Sequence, residues 1–129
     1  MKKLSALLVA ALVAVSLHAD NSFPEIGVAD VNALVGTKKA IIIDVNGTDS
    51  YNKGHVPGAL NFEAIQDKLA SNLPKDKDSL IVAYCGNPKC GAYAAAAKAA
   101  QKLGYTNVKH MTAGIAGWKD AGMKTEKGS

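Results

Sequence analysis

Two continuous apolar runs dominate the hydrophobic pattern of this chain. "AIIIDV" spans residues 40–45 and "SLIVAY" spans residues 79–84, and both are rich in aliphatic side chains. Runs of this kind are typical of strands that are buried on both faces, as in a parallel sheet. The shorter runs "ALNF" and "NVKHM" predict two further strands.

Segments with helical spacing alternate with these strands. "VADVNALVG" and "EAIQDKLASNL" repeat apolar residues three or four positions apart, which is the period of one helix face. "GAYAAAAKAAQKLG" predicts the strongest helix, because Ala is the best helix former and Gly104 stands as a C-terminal stop. The alternation predicts an α/β fold: an open, mainly parallel sheet of four to five strands with helices on both faces.

The first 19 residues follow a different pattern. Two lysines lead into an apolar run at residues 4–17, which is shorter than the roughly 20 apolar residues of a membrane-spanning helix. This pattern predicts a secretory signal peptide over residues 1–19 and hence a periplasmic or secreted protein that leaves the membrane after cleavage. An uncleaved membrane anchor is the alternative. The remaining chain then divides into one domain at residues 20–123 and a loose polar tail at residues 124–129.

The charge pattern argues against nucleic acid as a partner. The formal net charge is +4, but Lys2 and Lys3 belong to the predicted signal peptide, and without them 13 lysines face 11 acidic residues. The lysines of the remaining chain form no basic stripe. The chain contains no Arg, so no side chain offers the bidentate grip on phosphate or carboxylate that Arg provides.

Both cysteines of the chain, Cys85 and Cys90, lie on the loop between the second long strand and the Ala-rich helix. A helix that starts near Gly91 would turn its free N–H groups and the positive end of its dipole toward this loop. Small loop residues allow an anion-holding nest of amides, and Lys89 adds a positive charge. These features favour a nucleophilic thiolate at Cys85. The alternatives are a buried inert thiol and, in an exported protein, a structural disulfide.

At this point the sequence resembles the single-domain rhodaneses, which are sulfurtransferases. Three motifs carry the resemblance in order: "IIIDV" followed by "GHVPGA", then "YC" before a small-residue helix, then "GYTNVKHMTAGIAGW". The resemblance covers residues 27–122 and implies a rhodanese-like fold. It implies that Cys85 takes a sulfane sulfur from thiosulfate or polysulfide and holds it as a persulfide. A thiol or cyanide then accepts the sulfur, or a protein does, and no metal or organic cofactor takes part.

The resemblance also implies roles for the residues around Cys85. The loop that follows it would cradle the sulfur through backbone amides, with Pro88 contributing only a carbonyl. We expect Asp44 to fix this loop through hydrogen bonds and His55 to order a turn near the site. Cys90 is either a resolving thiol or a small buried filler, and these two interpretations stay open. The residues of the cradle are Gly86, Asn87, Pro88, Lys89, Cys90 and Gly91.

Two departures from the family pattern bear on the sulfur donor. Asn46 and Cys90 stand at positions where members of this family often have Arg. Without these two guanidinium groups the site holds a doubly charged donor such as thiosulfate less firmly. Polysulfide or a protein persulfide is therefore an equally good candidate, although Lys89 compensates in part as a point charge.

Other classes of protein fit the sequence less well. A phosphatase of related fold needs Arg six positions after the nucleophile, where this chain has Gly91. A thiol–disulfide module would have a C-x-x-C motif, whereas four residues separate Cys85 from Cys90. Two cysteines with His55 and His110 match no familiar zinc spacing. A non-catalytic sulfur carrier stays open as an alternative, because a carrier also needs a reactive Cys85.

Overall fold

The computed structural model describes residues 23–128 and contains one sheet of four parallel strands. The strand order is β2-β1-β3-β4, so each of the two long strands has a neighbour on both sides. The predicted α/β fold with a parallel sheet is confirmed. The strands are β1 (Ala40–Asp44), β2 (Leu60–Asn61), β3 (Leu80–Tyr84) and β4 (Val108–His110).

Six α-helices and one 3-10 turn connect the strands within residues 23–128. The Ala-rich helix forms as predicted, but the segment "EAIQDKLASNL" divides into three short pieces. The division falls at Ile65 and Lys68, whose φ angles of −116° and −126° lie outside the helical range. The elements are α1 (Val28–Leu34), α2 (Thr48–Lys53), α3 (Phe62–Ile65), the 3-10 turn (Gln66–Lys68), α4 (Leu69–Asn72), α5 (Tyr93–Lys102) and α6 (Gly114–Asp120).

The sheet separates two hydrophobic cores. Alternate residues of β3 point to opposite faces, so that Ala83 and then Cys85 enter the first core, whereas Val82 and Tyr84 enter the second. The first core packs against α5, whose buried alanines bring the helix close to the sheet. The second core is closed by α1, α2 and α6, with Trp118 of α6 as its largest side chain. The helices therefore cover both faces of the sheet.

Hydrogen bonds hold both ends of the described chain against the domain. Beside β4, His110 donates its N–H to the Pro24 carbonyl at 2.8 Å and accepts from the Ile26 N–H at 2.9 Å. At the other end, Glu126 exchanges two backbone hydrogen bonds of 2.9 Å with His55. Residues 124–128, for which the sequence predicts a loose tail, are thus bonded to the turn around His55.

The predicted signal peptide at residues 1–19 lies outside the described residues. Within residues 23–128, no helix has the length and apolar character needed to cross a membrane.

Candidate active site

Cys85 is the first residue after β3, at the edge of the sheet where the carboxyl ends of the parallel strands meet. The register pairs Asp44, the last residue of β1, with Tyr84, so the ends of these two strands lie side by side. Ligands of open α/β sheets bind beyond this edge. The Cys85 side chain belongs to the first core and is only 1% exposed.

The loop after Cys85 folds back on itself and brings the two thiol residues together. Asn87 makes the turn: its carbonyl oxygen accepts the Cys90 N–H at 3.1 Å, and its side-chain oxygen accepts the Lys89 N–H at 2.9 Å. The Cα atoms of Cys85 and Cys90 are 6.3 Å apart, within the range that a disulfide spans, and the structure joins the two residues in a disulfide. The structure therefore represents the oxidised form of the loop.

In this oxidised form, some N–H groups of the predicted amide cradle already make hydrogen bonds within the loop. The N–H groups of Lys89 and Cys90 bond to Asn87, and Pro88 has no N–H. Within residues 23–128, the N–H groups of Gly86, Asn87 and Gly91 make no hydrogen bond. The loop thus keeps three amide donors that are not used within residues 23–128 in this form. Residues 87–89 and Gly91 are exposed, whereas Cys90 is half-buried.

Hydrogen bonds from the start of α6 hold the backbone of the loop in place. Ile115 donates its N–H to the Cys85 carbonyl at 2.9 Å, and Ala116 donates to the Gly86 carbonyl at 3.0 Å. Gly114, with a φ of +65°, allows this close approach. A Cβ atom on Gly114 would lie 2.6 Å from the Gly86 carbonyl carbon and 2.7 Å from both the Asn87 nitrogen and the Cys85 oxygen. Only Gly fits here; Gly114 lies within the third sequence motif, but its contact with the loop is not visible in the sequence.

A buried hydrogen-bond network supports the neighbouring strand end. Asp44 is 1% exposed, and its carboxylate accepts the Tyr84 hydroxyl at 2.6 Å and the Asn46 N–H at 2.8 Å. The Tyr84 hydroxyl in turn accepts the Val56 N–H at 3.0 Å. Burial, and then the Asp44 charge, raise the pKa of Tyr84 far above its ordinary value, so the phenol keeps its proton and acts as a donor.

This network leads to the loop through Asn46. The side-chain oxygen of Asn46 lies 3.6 Å from the point where a Cβ on Gly86 would stand. Asp44 therefore holds the backbone of a residue that packs against the first residue of the loop. Asn46 is half-buried, and its side-chain nitrogen is a buried donor without a partner within residues 23–128.

His55 lies on the other face of the sheet from Cys85, among residues that line the second core. Its ring stacks on Tyr51 with 3.6 Å between the ring centroids, and its Nδ1 is 2.8 Å from the Tyr51 carbonyl. Its Nε2 is 3.8 Å from a carboxylate oxygen of Glu126. His55 thus directly precedes Val56, whose N–H bonds to the Tyr84 hydroxyl.

Within residues 23–128, no group of three or more His, Cys, Asp or Glu residues is arranged to hold a metal ion. The two cysteines are joined to each other, and the two histidines lie apart in different surroundings. His55 pairs with Glu126, whereas His110 stacks on Tyr93 with 3.3 Å between the ring centroids.

Replacing Tyr84 with Phe should destabilise the domain strongly. The change leaves a buried Asp44 oxygen without its donor and the Val56 N–H without its acceptor, and each orphaned group costs ~1–3 kcal/mol. We expect the free energy of unfolding to fall by ~3 kcal/mol or more in urea denaturation. Tyr105→Phe is the matched control, because its hydroxyl makes one hydrogen bond to the Pro74 carbonyl and should cost only ~1 kcal/mol. An equal decrease in the free energy of unfolding in the two variants would contradict the expectation that the Asp44–Tyr84–Val56 network contributes more than a single hydrogen bond.

His110 should make stability fall as the solution becomes acidic. The ring is 6% exposed and its Nε2 is buried without a hydrogen bond within residues 23–128. Burial lowers the pKa of His110, and the nearby Glu25 opposes this only in part. Above its ordinary pKa of about 6.5 the ring is neutral in both states; below it, the unfolded chain takes up a proton that the folded chain resists. Stability is therefore lost as the pH falls from about 6.5 toward the lower folded pKa.

Urea denaturation of the wild-type chain and of His110→Phe at about pH 7.5 and about pH 5.5 checks this expectation. Phe keeps a ring against Tyr93 and cannot titrate. The decrease in unfolding free energy between the two pH values should be smaller in the variant. An equal decrease in both chains would show that other groups cause the acid sensitivity.

The Rhodanese-like domain family model matches residues 27–121, and the chain therefore belongs to the rhodanese-like family. The resemblance that the sequence motifs indicate is thus confirmed. The chain is 25% identical to the thiosulfate:glutathione sulfurtransferase of Homo sapiens, over 74% of this chain and 92% of that enzyme. Relatives of this kind place the chain in a family of sulfurtransferase type.

The chain is also similar to two proteins of other kinds. The chain is 31% identical to an HTH-type transcriptional regulator of Mycobacterium tuberculosis over 89% of its own length, and it spans 57% of that regulator. The solution structure of the rhodanese-like domain of an Anabaena protein superposes with a TM-score of 0.65 at 25% identity. That match covers 82% of this chain and 80% of the Anabaena chain.

Proposed function

We propose that this protein is a sulfurtransferase that carries a sulfane sulfur as a persulfide on Cys85. The observation that supports this most is the position of Cys85. It directly follows β3 at the ligand-binding edge of a rhodanese-like domain, beside the N–H groups of Gly86, Asn87 and Gly91, which make no hydrogen bond within residues 23–128. The thiol–disulfide state of the loop adds a condition, because the disulfide must be reduced before Cys85 can act as a nucleophile.

The proposed reaction has two steps. In the first, the Cys85 thiolate attacks the sulfane sulfur of the donor. The donor's S–S bond breaks, and the leaving group departs with the electron pair as sulfite, when the donor is thiosulfate, or as a shorter polysulfide. In the second, an acceptor thiolate or cyanide attacks the outer sulfur of the persulfide and releases the Cys85 thiolate. The negative charge lies on the Cys85 sulfur before loading and on the adjacent outer sulfur of the persulfide after it, so amide donors close to both sulfurs would stabilise both states.

The charges around the loop favour polysulfide over thiosulfate as the donor. Lys89 is the single basic residue of the 86–91 loop and is exposed, while the half-buried Asn46 beside Gly86 carries no charge. Polysulfide presents a terminal sulfur to Cys85 without a sulfonate group that needs its own cation. A carrier that passes sulfur to a protein partner uses the same first step and stays the second candidate.

Sulfur transfer to cyanide tests the proposal. The reduced protein is incubated with cyanide and either thiosulfate or polysulfide, and thiocyanate is measured. We expect thiocyanate to form with a higher kcat/KM for polysulfide than for thiosulfate. A higher value for thiosulfate would contradict the proposed donor preference. Persulfide loading without turnover to any small acceptor would favour the carrier.

A further inference from the structure

The loop contains a second thiol whose position suits a step after persulfide formation. Cys90 is the last residue of the turn that Asn87 makes, and its Cα lies 6.3 Å from that of Cys85. The Cys85 sulfur is also 3.3 Å from the Cys90 carbonyl oxygen, so it packs against the backbone of this residue. The two sulfurs reach each other without rearrangement of β3 or α5, since the disulfide forms within the fold as described.

Burial gives Cys90 an advantage over any acceptor from solution. Cys85 is 1% exposed and lies in the first core, whereas Cys90 is half-buried and packs against the edge of that core. An external acceptor must enter the loop to reach the sulfur on Cys85. Cys90 is part of the same loop, so its attack is an intramolecular reaction and does not depend on the concentration of an acceptor.

We propose that Cys90 is a resolving residue that converts the Cys85 persulfide into sulfide and a Cys85–Cys90 disulfide, with an external dithiol as the reductant that resets the loop. This inference rests on the proposed function. It adds sulfide as a product and gives the disulfide a place in the reaction cycle.

The resolving step balances as a thiol–disulfide exchange. The Cys90 thiol gives its proton to the anionic outer sulfur of the persulfide, and the resulting thiolate attacks the Cys85 sulfur. The bond between the two persulfide sulfurs breaks, and the outer sulfur leaves as hydrosulfide with that proton and the electron pair. The outer sulfur is reduced by two electrons, and the two cysteine thiols are oxidised to the disulfide. Attack on the outer sulfur would instead move the persulfide to Cys90, with neither sulfide nor disulfide as a product.

Reduction of the Cys85–Cys90 disulfide follows from the greater exposure of Cys90. A thiolate of the external dithiol attacks the more accessible Cys90 sulfur, and Cys85 leaves as the thiolate that the next cycle needs. The second thiol of the reductant then closes its own disulfide and frees Cys90. Over one cycle, thiosulfate and a dithiol give sulfite, sulfide and the oxidised dithiol.

A single-turnover experiment without a reductant tests the inference. The reduced, desalted protein is mixed anaerobically with thiosulfate, and sulfite and sulfide are measured separately. Sulfite reports loading of Cys85, and sulfide reports the resolving step, so the ratio of sulfide to sulfite is the readout. Trypsin cleaves after Lys77 and Lys89, and the disulfide therefore joins the peptides 78–89 and 90–98.

In the wild-type chain we expect one sulfide for each sulfite, together with the linked peptides. In Cys90→Ala and in Cys90→Ser the ratio should fall at least ~10-fold, because no thiol is held at the persulfide. The persulfide should then persist on peptide 78–89. The wild-type chain without thiosulfate is the control for adventitious oxidation and should show no linked peptides.

Two other outcomes separate this inference from the proposed function. Sulfite without sulfide in the wild-type chain, or extra sulfur on peptide 90–98, would overturn the resolving role and leave the sulfurtransferase intact. If no chain releases sulfite, loading with polysulfide is read from the mass of peptide 78–89 and from the linked peptides. Absence of loading by both donors would overturn the proposed function and this inference together.

Discussion

Cys85→Ser is expected to abolish sulfur transfer. A serine hydroxyl cannot form a persulfide, and removal of a catalytic nucleophile lowers turnover by at least ~10³-fold. Thiocyanate formation from thiosulfate or polysulfide should fall to the rate without protein. Ser differs from Cys in one atom, so the shape of the site is kept, and a hydroxyl at a position that is 1% exposed should cost the fold only ~1–3 kcal/mol.

Cys90→Ser is the matched control for this loss. Both variants lack the disulfide and carry the same chemical change, at the two ends of one loop. Cys90→Ser should still acquire a persulfide, whereas Cys85→Ser should not. Sulfur transfer by Cys85→Ser at more than a tenth of the wild-type rate would contradict the assignment of the nucleophile.

Gly114→Ala is expected to destabilise the domain strongly. The new Cβ would stand 2.6–2.7 Å from three backbone atoms of residues 85–87, and no side-chain rotation relieves a clash with backbone. The positive φ of +65° adds a second penalty, because Ala is strained in the left-handed region. Together these should lower the free energy of unfolding by ~3 kcal/mol or more.

Gly122→Ala separates the two penalties. Its φ is +75°, but a Cβ at this position meets nothing within 4 Å. Gly122→Ala should therefore show the conformational cost alone, ~1–2 kcal/mol. The difference between the two variants measures the contact between α6 and the loop that follows Cys85. If urea denaturation gives the same loss for both, then Gly114 is not held against the loop as the structure shows.

Gly114→Ala should also slow persulfide formation in the fraction of the protein that still folds. Ile115 and Ala116 donate to the carbonyls of Cys85 and Gly86, and a displaced α6 would shift both loop residues. In the folded fraction of Gly114→Ala, persulfide formation on Cys85 should slow, whereas Gly122→Ala should load at the wild-type rate.

The long strands were predictable because their chemistry is local. A strand buried on both faces must be apolar at every position, and "AIIIDV" and "SLIVAY" satisfy this without information from elsewhere in the chain. The position of Cys85 at the carboxyl end of β3 follows from the same run. The Ala-rich helix α5 was equally visible, because helix propensity adds up over its ten residues.

The short helices could not be predicted in this way. α2 and α6 have six and seven residues and carry few large apolar side chains, Tyr51 in α2 and Ile115 and Trp118 in α6, so no helical period stands out from the surrounding loops. They form because tertiary contacts hold them, as Tyr51 of α2 and Trp118 of α6 show by their burial in the second core. Propensity alone is a weak guide at this length.

The contacts of the site depend on residues that are distant in sequence. Tyr84 meets Asp44 across 40 positions, through the register between β1 and β3. Gly114 contacts Gly86 only because the start of α6 packs against the loop in the folded chain. The pairing of Cys85 with Cys90 is local, but it depends on the turn that Asn87 makes, and the sequence left that pairing open.

The central claim is that sulfane sulfur resides on Cys85, and peptide mass spectrometry tests it most directly. Cys90→Ala is used, because it lacks the thiol that would resolve the persulfide. The reduced protein is loaded with polysulfide or thiosulfate, alkylated and digested with trypsin, which separates peptide 78–89 from peptide 90–98. We predict the mass of one additional sulfur atom on peptide 78–89, at Cys85, and none after cyanide treatment. An unmodified Cys85 after exposure to both donors would contradict the account.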